Sequence, residues 1–277
     1  MSMSNVTLTS GMRQNLFSLQ QTATAMETTQ TRLSSGKRVN SALDDPINFF
    51  AAQGHTQRAN DLSMRKDEMS EAIQTIKAAN NGLEAMTDMI ASAKSLAQSA
   101  MATNDMSERA TLQDQYEEML GQIEDVIYDS GYKGTNLLDS SNSQEIVVSF
   151  DESGESALTV EATDVISDFE EIGSASVGDW ADGTTTDIEA SIASLDDARD
   201  TVRTAAKTLS SQLSTITTRQ EFTTKMINTL EDGAANLVSA DLNEEGANML
   251  MLQTQQSLGT TSLSLASQAA QSVLSLF

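Results

Sequence analysis

Residues 188–237 read IEASIASLDDARDTVRTAAKTLSSQLSTITTRQEFTTKMINTLEDGAANL, and the fold follows from how the apolar residues are spaced there. Alternating steps of four and three from Ile188 reach Ile192, Leu195, Arg199, Val202, Ala206, Leu209, Leu213 and Ile216. The same steps continue through Gln220, Thr223, Ile227, Leu230, Ala234 and Leu237. Twelve of these 15 positions are apolar. A row sustained at this spacing is a coiled-coil seam, narrower than the stripe of a globular helix. At about 1.5 Å per residue such a helix extends roughly 75 Å. A compact domain has no need of a rod that long.

A partner seam lies in the first half of the chain, through Met69, Ile73, Ile76, Asn80, Leu83, Thr87, Ile90, Lys94, Ala97 and Met101. Asn81-Gly82 inside it is a turn-forming pair. The seam keeps its phase across the pair, which predicts one continuous helix, weakened by about 1 kcal/mol at Gly82. A third helix is expected from Ser107 to Asp129, carrying Leu112, Tyr116, Met119, Leu120, Ile123 and Ile127. Asn104-Asp105 supplies its capping chemistry, and Gly131 and Gly134 end it. The runs Gln144–Phe150 and Ala157–Val160 flank Asp151-Glu152-Ser153-Gly154 and predict a β-hairpin. Residues 163–186, acidic and rich in Gly, Ser and Thr, read as a surface loop. The expected fold is mainly α: long antiparallel coiled-coil helices from the two halves of the chain, with a small β-hairpin and acidic loop between them.

Charge is distributed as unevenly as the apolar residues. Across 277 residues, 16 Lys and Arg stand against 40 Asp and Glu, a formal net charge of -24. Residues 1–26 carry one charged side chain, Arg13, and residues 246–277 carry none. Between Lys133 and Arg199 there is no cation, while 16 acids lie from Asp139 to Asp197. Charged groups are costly to bury and uncharged polar groups less so. The two ends are therefore composed for burial and the middle for water. The acidic balance also disfavours nucleic acid and anionic membranes, whose phosphates require basic side chains.

The same inventory leaves little room for catalysis. Cys is absent, His55 is the only histidine and Pro46 the only proline. His55, between Gln53 and Gln57, lacks the second histidine and the glutamate of a helical zinc motif and reads as an ordinary helix residue. Asp44-Asp45 and Asp196-Asp197 are sequence neighbours, and helix neighbours diverge rather than form an acid/base dyad. Asp44-Asp45-Pro46 is instead a turn or helix start with proline in the first turn. The 14 methionines lie mostly at or near seam positions and read as packing. No catalytic residue, metal site or cofactor is expected, and no enzyme. No apolar run is long enough to span a membrane. The segment from Met1 to Thr7 lacks the pattern of a cleaved secretory signal.

The segment Leu33-Ser34-Ser35-Gly36-Lys37-Arg38-Val39-Asn40-Ser41-Ala42-Leu43-Asp44-Asp45-Pro46 closely resembles the N-terminal signature of bacterial flagellins. The ending Gln271-Ser272-Val273-Leu274-Ser275-Leu276-Phe277 is similar to the flagellin C-terminus. Asp129–Leu138 resembles the family's link after its second core helix, and Asp241–Glu245 its junction between the two C-terminal helices. The resemblance covers residues 1–138 and 186–277.

It implies a structural subunit of a helical filament. Residues 1–33 with 246–277 would form an inner layer, 34–57 a linker or spoke, 58–138 with 187–245 the long-helix layer, and 139–186 an outward hairpin and loop. Val6, Leu8, Met12, Leu16, Leu258, Leu265, Val273, Leu274, Leu276 and Phe277 would pack between subunits, with the termini ordering on assembly. Leu33, Gly36, Arg38, Asn40, Asp44, Asp45 and Pro46 would form the spoke. The resemblance further implies partners: copies of the chain itself, the flagellar export apparatus, hook-associated and cap proteins, and an export chaperone. It places the protein outside the cell, exported without a cleaved signal. The short middle implies a thin filament without large outer domains. The stretch Ile90–Ala97 lacks most of the charges that an innate immune receptor reads in some flagellins, so weak activation is expected. The neighbouring alternatives are a hook–filament junction protein and a secreted coiled-coil adhesin.

Overall fold

The computed structural model describes residues 10–139, 145–165, 169 and 178–274. Its elements are helices α1 (Ser10–Ser35), α2 (Pro46–Ala102) and α3 (Met106–Asp129), strands β1 (Glu145–Ser149) and β2 (Ala157–Glu161), and helices α4 (Thr186–Val238) and α5 (Leu242–Leu274). The chain divides into a terminal unit, residues 1–57 with 229–277, and a middle unit, residues 58–228.

Local chemistry sets the helix boundaries. Asp45 caps α2, its carboxylate accepting from Asn48 N at 3.1 Å and Asn48 Nδ2 at 2.6 Å, and Pro46 takes the first helical position, where its missing N–H is harmless. Asp105 caps α3 by accepting from Ser107 N at 2.9 Å. At the far end Asn136 Nδ2 donates to Ile127 O at 2.7 Å, joining the Ser130 N–H on the same carbonyl. The turn between them places Lys133 and Gly134 at positive φ. Asp241 caps α5 through Asn243 N at 2.8 Å.

In the middle unit the α4 seam is buried or half-buried at every expected position from Ile188 to Ile227. The α2 row differs from the expected one. Met69, Ile73, Ile76, Leu83, Ile90 and Ala97 are buried as the spacing requires, but Thr87 and Met101 are exposed, and Asn80 and Lys94 are only half-buried. The second row runs one residue earlier, through Ala72, Ala79, Met86, Ala93 and Ala100, all buried. On α4 a matching row of small residues, Ser191, Ala198 and Ala205, is buried beside the seam. Both helices contribute two rows to one core that also takes Tyr116, Ile123 and Ile127 of α3. A helix with two neighbours needs a wider apolar stripe, and alanine lets backbones approach closely along it.

Gly82 is helical, as the unbroken phase predicts, and its lack of a side chain has a tertiary cause. A Cβ there would lie 1.9 Å from Ser130 Oγ and 2.7 Å from Ser130 Cβ, so the end of α3 occupies that space. Between α2 and α4, Lys94 Nζ meets the Asp196 carboxylate at 2.6 and 2.7 Å, and Gln220 Nε2 donates to Ser70 Oγ at 2.7 Å.

The hairpin forms where the alternation places it, with Val148 facing Leu158 and Ile146 facing Val160 in antiparallel register. Ile146, Val148 and Phe150 point to the core side while Val147 is exposed. Gly154, at φ 75°, completes the turn. Arg58 Nε lies 2.6 Å from Glu152, and the Arg219 guanidinium sits 5.1 Å from the centre of the Phe150 ring, fixing the hairpin to α2 and α4.

Residues 163–186 depart from a simple surface loop. Val165, Phe169 and Trp180 are buried members of the core, and Trp180 lies 5.0 Å, ring to ring, from Tyr116. Gln113 of α3 holds the approach, its amide donating to Gly178 O at 3.1 Å while its oxygen accepts from Trp180 N at 3.1 Å. Arg109, itself buried, donates to Thr103 O and Thr184 O, both at 2.9 Å. Burial pushes the Tyr116 phenol up to about 12, with Ser191 opposing in part. The remainder of the loop, 166–168 and 170–177, lies outside the described residues.

Candidate assembly interface

In the terminal unit α1 and α5 run antiparallel. Asn15 Nδ2 donates to Ser262 Oγ at 3.2 Å, and Arg32 NH1 meets Glu245 Oε1 at 3.0 Å. Near the centre a Cβ on Gly259 would lie 2.6 Å from a methyl of Leu19, so the helices touch closely there. Few side chains are buried by this pairing: on α1 only Met12, Thr22 and Thr29.

Apart from Arg13, Glu27 and Glu244, what remains exposed on the pair is apolar or uncharged. Leu16 is 42% exposed, Phe17 62%, Leu258 65% and Leu265 62%, and Leu250 and Met251 are exposed as well. Many hydroxyls between them are already satisfied: Thr24 and Thr28 donate to the carbonyls of Gln20 and Thr24, and Thr254 and Thr261 to those of Leu250 and Ser257. A hydroxyl bonded within its own helix enters an interface without leaving an orphaned donor. The surface is thus compatible with burial in both its apolar and its polar parts.

The expected interface residues fall into four groups. Met12 is buried within the terminal unit, while Leu16, Leu258 and Leu265 are exposed. Val273 and Leu274 close α5, but their side chains are not described. Val6, Leu8, Leu276 and Phe277 lie outside the described residues.

The residues expected to form the spoke build a compact junction. Gly36, at φ 67°, turns the chain out of α1, and its N–H donates to Arg32 O at 2.9 Å. Gly36 O then accepts from Ala240 N at 3.0 Å, Arg38 N donates to Val238 O at 2.7 Å, and Lys37 and Ser239 form a β-bridge. The two connections are therefore stapled by backbone bonds. Leu33 is half-buried, while Arg38, Asn40 and Pro46 are exposed. Asp44 Oδ2 accepts from Asn40 N at 3.0 Å and Ser41 N at 2.9 Å, and Asp45 from Asn48. Hydrogen bonds to the charged form, chiefly from the backbone N–H of Ser41 and of Asn48 respectively, hold both carboxyls below their usual range.

Sequence reasoning missed Val39, buried at the junction, and the exposed Leu43, Ile47 and Phe50 beside it. The signal lay in reach: three large apolar residues within eight, next to a turn.

Elsewhere, no group of three or more His, Asp or Glu close enough to hold a metal ion occurs among the described residues. His55 is exposed beside Gly233. No described helix is long and apolar enough to cross a membrane.

Paired terminal helices with exposed leucines and few charges fit a structural subunit. Family comparison agrees. The bacterial flagellin N-terminal helical region matches residues 4–143, and the C-terminal helical region matches residues 186–277. The chain belongs to the bacterial flagellin family. It is 28% identical over 282 residues to flagellin FljK of Caulobacter vibrioides, with 100% of each chain covered. It is 27% identical over 275 residues to a flagellin of Brucella melitensis, covering 95% of each. A crystal structure of Bacillus cereus flagellin aligns with a TM-score of 0.49 at 18% identity, over 56% of this chain and 88% of that one. The protein is a filament subunit and not an enzyme.

Proposed function

We propose that α1 and α5 complete their packing only between subunits, through Leu16, Leu258 and Leu265 and the terminal residues Val6, Leu8, Val273, Leu274, Leu276 and Phe277. The observation that carries this is the pairing of near-zero charge with exposed leucines along both helices. Ordering a residue costs about 1–2 kcal/mol of backbone entropy, and the few side chains buried on α1 do not offset that for a lone pair. The terminal helices are therefore marginal in a free subunit and become fixed as neighbours add. Elongation onto an existing end is fast and spontaneous nucleation slow, because a first contact orders helices before further neighbours stabilise them.

In this reading the terminal helices form the inner layer, residues 34–57 the spoke, the long-helix core an outer layer, and residues 139–186 the exposed face. The filament is extracellular, and the chain reaches it through the flagellar export apparatus, with a chaperone before export and cap and hook-associated proteins at the two ends. Support for a filament role over a junction role comes from relatives named as flagellins that cover this chain end to end.

The test is seeded polymerisation viewed by electron microscopy. Fragments of assembled protein added to fresh subunits should extend into long filaments, and unseeded subunits should lag. Short caps that never elongate would favour the junction alternative.

A further inference from the structure

Most of the contact between α1 and α5 does not tell one alignment from another. The less exposed side of α1 steps by three and four through Met12, Asn15, Leu19, Thr22, Met26 and Thr29. That of α5 does the same through Met249, Leu252, Gln256, Gly259, Leu263 and Ala266. Rows with a seven-residue repeat fall onto themselves when one helix slides by seven residues, about 10 Å. The two helices together carry five charged side chains, Arg13, Glu27, Arg32, Glu244 and Glu245, so charge patterning along them is sparse as well.

Two contacts break the repeat. Arg32 Nη1 meets Glu245 Oε1 at 3.0 Å, the one ion pair between these helices among the described residues, and the Glu245 side chain is 9% exposed. Leu19 lies against the bare backbone of Gly259, where a Cβ would stand 2.6 Å from Leu19 Cδ2. Asn15 and Ser262 bond in the same alignment, 17 residues from Arg32 on one helix and 17 from Glu245 on the other. A slide of seven residues one way sets Arg32 against Leu252 and Leu19 against Ala266. The other way sets Glu245 against Ala25 and Leu19 against Leu252. Each slide parts the ion pair and puts a side chain where Leu19 needs a glycine. The pair is not arranged for greatest stability, since Glu245 Oε2 is buried with no hydrogen-bond partner. A buried ion pair is a poor source of stability, and its best-attested use is to fix alignment.

We propose that Arg32 and Glu245 are positioning residues which, with the Leu19–Gly259 notch, set the axial register of α1 on α5. The register belongs to one chain; its use in assembly rests on the polymerising role above. One register presents Leu16, Phe17, Leu258 and Leu265 at the same heights on every subunit, and a slid subunit offers the next one a mismatched end.

The chain has no cysteine, so introduced pairs report the register directly. Asn15→Cys with Ser262→Cys marks the observed alignment, and Asn15→Cys with Gln255→Cys or Ala269→Cys marks the two slides. Each pair is oxidised in free subunits and in seeded filaments, and links within one chain are counted by mass spectrometry. With Arg32 and Glu245 in place, the link between positions 15 and 262 should exceed either slid link at least tenfold. Arg32→Met/Glu245→Leu should bring the slid links within threefold of it and slow elongation on seeds at least tenfold. Arg32→Lys alone, which keeps the cation, should keep the single register. A tenfold preference that survives in Arg32→Met/Glu245→Leu overturns the proposal and leaves the filament role standing. Slid links together with an unchanged elongation rate overturn the use of the register in assembly. Failure of the unsubstituted protein to extend seeds overturns the filament role alone, because the register is also read in free subunits.

Discussion

The middle unit and the terminal unit are both built from long antiparallel helices, yet they solve burial in opposite ways. In the middle unit α2 and α4 each turn two rows of side chains inward, a third helix and a hairpin cover them, and Trp180 fills the remaining space. In the terminal unit α1 and α5 have only each other, and leucines that would be core residues elsewhere face outward. Composition separates the two more sharply than helix content does. The middle unit surrounds its core with acids and ion pairs, as a surface meant for water does. The terminal helices carry few charges and bond many of their own hydroxyls, as the proposed burial between subunits requires. A helix can thus be amphipathic with respect to its own chain or with respect to its copies.

The contrast is broken most forcefully at its two extremes. Leu265→Asp or Leu258→Asp places a carboxylate in the proposed interface, and filaments should be abolished in seeded assays while helical circular dichroism and Trp180 fluorescence of the subunit stay unchanged. Trp180→Ala should do the reverse, lowering the stability of the middle unit by about 3–5 kcal/mol in denaturant unfolding. If the charged leucine variants instead lost the middle unit's fold, the division of labour between the units would be wrong.

A smaller effect tests how the middle unit closes. By helix propensity alone Gly82→Ala should stabilise α2 by about 1 kcal/mol. The contact with Ser130 reverses the sign, and a net loss of about 1–3 kcal/mol is expected from overpacking. Lys94→Met, which removes the partly exposed pair with Asp196, should cost less than about 1 kcal/mol, because solvent screens such pairs.

Much of this was legible in advance, and the exceptions have physical causes. The α4 seam could be read because heptad spacing is a one-dimensional signal that survives without knowledge of neighbours. From Asn80 onward the second row of α2 lies one residue earlier than heptad spacing alone places it, for the same reason. A single seam implies one partner, and the shift to Ala79, Met86, Ala93 and Ala100 reflects a second. Gly82 had a visible helical phase but an invisible cause, since Ser130 is 48 residues away in sequence. Trp180 was hidden by its company, lying among Gly, Asp and Thr that spell a loop, and it is drawn inward by Gln113 and Tyr116 of α3, with Arg109 holding Thr184 beyond it. In the terminal unit the charge map points to burial, but Leu43 gives no signal of its own, standing in a short turn between Ser41 and Asp44 with no periodic partner.

The least costly perturbation is acid. Asp44 and Asp45 have folded pKa values below their ordinary ones, so their contribution to the spoke is complete above the ordinary carboxylate range and is lost as pH falls through the lowered values. Exchange at the amides of Asn40, Ser41 and Asn48 should quicken over that acidic window. Asp44→Asn should remove the pH dependence at Asn40 and Ser41 while leaving Asn48 responsive.

The claim that the terminal helices belong to the assembly is tested most directly by hydrogen–deuterium exchange on subunit and filament under one condition. Amides of α1 and α5 should exchange fast in the free subunit and become protected on polymerisation, while those lining the middle unit's core hold the same protection in both. Equal, strong protection of α1 and α5 in the isolated subunit would contradict the account.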